Sequence, residues 1–145
     1  KKQMKLSKLS KAKFYSENVW SFVSIEEKHF FNIAKDFPNH IAAALSEDHS
    51  FAHAADMQVN LWISCLRNAL AHGGIVYLDE NGRSTHGSPV QMFAFVSGKY
   101  NYPKGKSRVL TKMNILRIRQ SDFVEFLRNW VSWLQTSGLE LDAAA

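Results

Sequence analysis

The stretch that most restricts this chain is Leu61-Trp62-Ile63-Ser64-Cys65-Leu66-Arg67-Asn68-Ala69-Leu70-Ala71-His72-Gly73-Gly74. At about 100° per residue, a helix begun near Met57 gathers Val59, Trp62, Ile63, Leu66, Ala69 and Leu70 into one sector. That sector is wide enough to be a buried face. The opposite side carries Asn60, Ser64, Asn68 and Ala71, bracketed by Arg67 and His72. The glycine pair supplies the stop, because glycine enters the left-handed conformation that ends a helix at little cost. Asn68 and His72 stand four apart and are therefore surface neighbours. Arg67 and His72 lie about 140° apart, so they meet only through a long arginine reach or across a ligand. Short side chains at Ser64 and Ala71 leave room on this polar face for a substrate or a second chain.

A chain of 145 residues with 46% hydrophobic content supports one domain with a full core, and two are not expected. The domain is expected over 14–138, after a basic arm at 1–13 and before a tail at 139–145 whose Ala143-Ala144-Ala145 is not expected to take part in the fold. Cys65 is the single cysteine, which excludes a disulfide within these residues and fits a reducing cytoplasm. No run reaches the roughly eighteen apolar residues of a membrane span, and the basic opening lacks the apolar run of a secretory signal. The expected location is cytoplasmic, with no membrane partner. The net charge of +5 is segregated. Residues 1–13 hold six Lys and no acid, and residues 81–121 hold eight basic groups and no acid, whereas the segment between them is acidic. Basicity gathered in this way suits a polyanion, although a solvated surface reads the same.

Phe14 to Phe37 reads as helical, with Ser24-Ile25-Glu26-Glu27 as a capping box and Phe30, Ile33, Ala34 and Phe37 on one face. Pro38 closes that element or opens a short helix over 41–45. The central helix then starts between Ser50 and Asp56. After it the period changes: Ile75–Leu78, Gln91–Val96 and Val109–Ile118 read as strands. Asp79-Glu80-Asn81-Gly82 and Tyr100–Lys106 read as turns. Ser121 and Asp122 cap a last helix whose buried face is Phe123, Leu127, Trp130 and Leu134. The expected fold is mainly α: a helical bundle with a small antiparallel β insert, about 75–119, between the motif helix and the last helix.

Arg67-Asn68-Ala69-Leu70-Ala71-His72, near a helix end and before a glycine pair, resembles the Arg-x4-6-His motif of the HEPN superfamily. Members with this motif, usually with a polar residue after the arginine, are commonly metal-independent ribonucleases built as helical bundles. The resemblance covers six residues as motif and most of 14–137 as architecture. It implies a composite site at a homodimer interface, with Arg67, Asn68 and His72 catalytic; the helix side that carries Asn60, Ser64 and Ala71 is the expected dimer face. It also implies a toxin or phage-defence role, with an antitoxin or other regulatory protein as partner. Toxin members controlled by a nucleotidyltransferase often carry Tyr two residues after the His. Here that position is Gly74, so the resemblance does not extend to that control.

The chemistry stands without the name. Metal-free RNA cleavage needs a base for the 2′-OH, an acid for the 5′-oxygen and donors for the crowded phosphate. A histidine with a reference pKa of about 6.5 can fill either proton role, and arginine offers a permanent phosphate fork. One chain supplies a single such His, so a two-fold dimer would complete the pair. The products would be 2′,3′-cyclic phosphate and 5′-OH ends. Arg67 and His72 can instead merely decorate a helix end, where a cationic His is favourable by about 0.3–1 kcal/mol. Lys99, Tyr100, Tyr102, Lys104 and Lys106 interleave cations with stacking rings, as single-stranded RNA binding requires; an ordinary basic loop is the alternative. His49, His53 and Asp56 have the spacing of helical metal ligands but lack supporting ligands, so neither a metal nor a cofactor is expected. Cys65 reads as a packing residue. The other functional class is a non-catalytic module binding RNA, nucleotide or a protein partner through the same face.

Overall fold

The structure is a computed structural model and describes residues 7–138. Its strands are β1 (Ser21–Ile25), β2 (Ile75–Leu78), β3 (Met92–Asn101) and β4 (Val109–Arg119). Its helices are α1 (Asn39–Leu45), α2 (Asp48–Asp56), α3 (Val59–Ala71) and α4 (Gln120–Trp133). The strands form one antiparallel sheet in the order β1-β4-β3-β2. Side chains alternate along each strand, and both faces are covered. In register, Phe22, Leu116 and Phe95 point one way, while Val23, Ile115 and Val96 point the other. The first set packs with Trp62, Cys65 and Ala69 of α3 and Phe126 of α4. The second packs with Ile41, Ala42 and Leu45 of α1 and with Phe37. Phe14, Trp20 and Phe126 surround Trp62 with ring centroids 5.3–5.5 Å away, in stacked and edge-on pairs of the kind aromatic rings favour.

The mainly α, HEPN-like bundle is therefore corrected: the chain is α/β, and the sheet is its middle layer rather than an insert. The strands after the central helix lie where the period change puts them. The misread segment is 14–37. Ser21-Phe22-Val23-Ser24-Ile25 is a strand that pairs with β4, and the Ser24 hydroxyl donates to Asn114 Oδ1 at 2.8 Å instead of capping a helix. Beyond it stand one 3-10 turn, Glu27–His29, and a turn in which the amides of Lys35 and Asp36 donate to Asn32 O. Phe30, Ile33 and Phe37 pack from a coil onto the α1 side of the sheet, while Ala34 is exposed.

The central helix is also two helices. At Met57-Gln58 the backbone turns extended and bonds elsewhere: Leu9 N–H donates to Met57 O at 2.7 Å, and Val59 N–H to Ser7 O at 2.9 Å. Leu9 is fully buried, so the later part of the basic arm is tied to the domain; residues 1–6 and the tail at 139–145 lie outside the described residues. α4 starts at Gln120 with no side-chain cap, so Ser121 and Asp122 do not play that part. Phe126 is its buried residue, while Leu127 is 42% exposed. No helix among the described residues is long and apolar enough to cross a membrane.

Candidate nucleic-acid interface

The end of α3 is fastened to the sheet by its glycines. His72 is the capping residue, and its N–H donates to Asn68 O at 3.1 Å. Gly73 turns left-handed at φ +69°. The Gly74 amide then returns to Ala69 O at 2.7 Å, and Gly74 O accepts from Val96 N–H, also at 2.7 Å. This stitch holds Asn68 and His72 beside β3.

Between them and the far end of the β3–β4 hairpin lies a groove of about 780 Å³, within the range of small-molecule and nucleotide sites. Asn68 and His72 line it together with Lys99, Tyr100, Tyr102 and Arg108, and no acidic residue lines it. Phe31, Asn32 and Ile33 form its other wall. Thus two residues from the motif and four from the basic hairpin, separated in sequence, border one space. A register shift at Lys99/Tyr100 and the bare Gly98 set the rings: a Cβ on Gly98 would fall 2.6 Å from Leu110 Cδ1 and 3.0 Å from the Tyr100 ring. The Arg108 guanidinium sits 4.2 Å from the centre of the Tyr100 ring, a cation–π contact. Tyr102 is 75% exposed and free to stack.

Other expected residues fall elsewhere. Arg67 is exposed and borders an apolar groove between α3 and α4, with Ala71, Leu70, Phe123, Leu127 and Trp130. A single chain therefore does not bring Arg67 and His72 into one of these cavities. Asn60 is exposed and accepts from the Leu61 N–H, Ser64 is half-buried, and neither lines either of these two grooves. Lys104 and Lys106 stand exposed on the hairpin turn, outside the groove lining. Arg108 was missed, yet it had a signal. Tyr100 pairs with Leu110 and Asn101 with Val109, so a hairpin folded about Pro103–Gly105 brings the residue before Val109 back toward Tyr100.

The remaining clusters have structural explanations. Cys65 is 2% exposed, and burial pushes its thiol up, with the Ser97 hydroxyl opposing that shift. It packs against the sheet rather than serving as a nucleophile for His72. His53 lies edge-on to Phe22 at 4.8 Å, and Asp56 pairs with Lys8 at 3.3 Å. Among the described residues no three His, Cys, Asp or Glu side chains are grouped to hold a metal ion.

No family model, curated protein or solved structure matches the chain. The likeness to the HEPN superfamily thus rests on the six motif residues alone.

Proposed function

We propose that this chain binds single-stranded RNA in the groove between the end of α3 and the β3–β4 hairpin. The observation that carries the reading is one acid-free groove lined by Lys99, Arg108, Tyr100, Tyr102, Asn68 and His72. Cations can hold phosphates while an exposed ring stacks on a base, a combination that tolerates many sequences. Asn68 and His72 add donors and acceptors for base edges or the 2′-OH. Paired bases cannot reach the rings, so a duplex of equal length is the weaker ligand.

Fluorescence anisotropy with labelled oligouridylate and oligoadenylate, across a salt titration, tests this. Tyr102→Ala should weaken binding about tenfold, since stacking is worth about 1–3 kcal/mol per base. Lys99→Ala should flatten the salt dependence by about 0.7 in log–log slope, the loss of one phosphate contact on a single strand. Wild-type affinity and slope in both variants would sink the proposal.

A second reading is favoured by one observation: His72 and Arg108 border the same groove, so a proton-transfer group and a phosphate fork are together without Arg67. In a cleaving protein an imidazole takes the 2′-OH proton, the 2′-oxygen attacks phosphorus, the P–O5′ bond breaks, and the 5′-oxygen takes up a proton. The second proton group would come from His72 of a second copy. Incubating RNA with the protein in EDTA separates the readings. Cyclic-phosphate ends that vanish in His72→Ala select cleavage; binding without such ends selects the binding module.

A further inference from the structure

At the opposite end of β3 and β4 lies a cavity of about 410 Å³ that shares no lining residue with the groove. It sits where β1 and β3 begin and β4 ends, lined by Ser21, Met92, Arg117 and Arg119 among others. Arg117 and Arg119 are two apart on one strand and so share a face. Ser21 is the cross-strand partner of Arg117, on the same face.

Arg117 is unusual. It is 6% exposed, and its Nη1 donates to Ala42 O at 3.2 Å and its Nη2 to Ser46 Oγ at 2.9 Å. Both acceptors are neutral, and among the described residues no carboxylate forms an ion pair with it. Gly82 closes over it so tightly that a Cβ there would lie 2.7 Å from Nη1. Burial, aided by the neighbouring Arg119 charge, lowers its pKa to about 10. At neutral pH it therefore remains a cation held out of water, an arrangement that is costly without an opposite charge. Beside it, Ser21 is 1% exposed and its Oγ has no hydrogen-bond partner among the described residues. A buried cation without an ion pair and a buried hydroxyl without a hydrogen bond, both among the described residues, are the two groups that a bound oxyanion would satisfy together.

We propose that this cavity binds the anionic head of a small molecule, a carboxylate or a phosphate monoester, between Arg117, Arg119 and Ser21. Glu80 and Asp122 also line the cavity. They balance the charges of Arg117 and Arg119 in the lining, which separates this site from the acid-free groove. The proposal does not depend on RNA binding.

Calorimetric titration with inorganic phosphate, and separately with acetate, at constant chloride tests it on the whole chain. The expected result is one saturable site for at least one anion, and the tighter of the two identifies the head group. Arg119→Gln should weaken it by at least about tenfold, as loss of a charged hydrogen bond does, and leave oligouridylate affinity unchanged. Arg108→Ala, in the groove, should leave the anion isotherm as it is. Arg117→Met should abolish the site; if that variant does not fold, Arg119→Gln and Ser21→Ala decide. No saturable binding at tens of millimolar of either anion, or an isotherm in Arg119→Gln equal to wild type, would overturn the proposal.

Discussion

Replacing Gly74 by alanine tests whether the helix end is stitched to the sheet as described. A Cβ at this position would lie 2.0 Å from Val96 O, 3.1 Å from Val96 C and 3.3 Å from Ala69 Cα, where real Cβ atoms essentially never come within 3.0 Å. All three neighbours are backbone, so no rotamer relieves the clash. The end of α3 and β3 must separate by about 1 Å, an overpacking that costs roughly 1–3 kcal/mol. The separation also strains the 2.7 Å bonds that Gly74 makes to Ala69 O and Val96 N–H, each worth about 1 kcal/mol. Together the loss is about 3–5 kcal/mol, a large share of a typical stability of 5–15 kcal/mol. Gly73→Ala is the internal control. It sits at φ +69° with nothing within 4 Å of the added methyl, so only the left-handed strain of about 1–2 kcal/mol applies. Urea unfolding of both variants, followed by far-UV circular dichroism with slopes compared, reads the difference. In melting temperature it is about 10 °C or more for Gly74→Ala against a few degrees for Gly73→Ala, at roughly 2–4 °C per kcal/mol. Equal midpoints, or a larger loss at Gly73, would refute the stitch.

The three atoms nearest an alanine methyl at Gly98 belong to the side chains of Leu110 and Tyr100, so Gly98→Ala should shift the Tyr100 ring and weaken oligouridylate binding with a melting temperature lowered by only a few degrees; unchanged affinity would contradict the groove. Phe126→Ala should cost about 3–5 kcal/mol and Leu127→Ala less than about 1 kcal/mol in urea unfolding, because Phe126 is buried at the aromatic cluster while Leu127 is exposed; the reverse order would mean that α4 is rotated. His53 has its pKa lowered by burial, then by His49, with Asp56 opposing, so the native state favours its neutral form. Its contribution is present above pH 6.5 and is lost as pH falls through the lowered native pKa. Unfolding midpoints at pH 7.5 and 5 should therefore differ less in His53→Gln than in wild type, and an equal difference would exclude the role. The raised thiol pKa and burial of Cys65 predict slow modification by a thiol reagent in buffer and rapid modification in urea; fast native modification would place the thiol at the surface.

How far the sequence could be read depends on whether the deciding forces were local. The α3 stop at Gly73-Gly74, the short helix near 41–45, the three later strands and the hairpin turn at Pro103–Gly105 were legible, because their signals are carried by neighbouring residues. β1 was not. Its apolar residues fit a helix as well as a strand, and what made it a strand was β4, some ninety residues away, through pairs such as Ser24 with Asn114. The break at Met57-Gln58 has the same cause, since the Met57 carbonyl and the Val59 amide are claimed by Leu9 and Ser7. The site divides along this line too. Asn68 and His72 as helix-surface neighbours follow from a spacing of four, and Lys99, Tyr100 and Tyr102 as a basic aromatic cluster follow from composition.

Sequence alone determined where one amphipathic helix ends, which side chains crown that end, and that cations and rings crowd the hairpin at 99–106, since each depends only on covalent neighbours. Tertiary structure decided that these two places face one groove, that Arg67 turns away from it toward the α3–α4 cleft, and that Arg108 takes part instead. It alone buried Arg117 beside Ser21. The physical reason is that strand order and register bring distant residues together, and hydrogen bonds between strands leave no mark on the periodicity of any single segment.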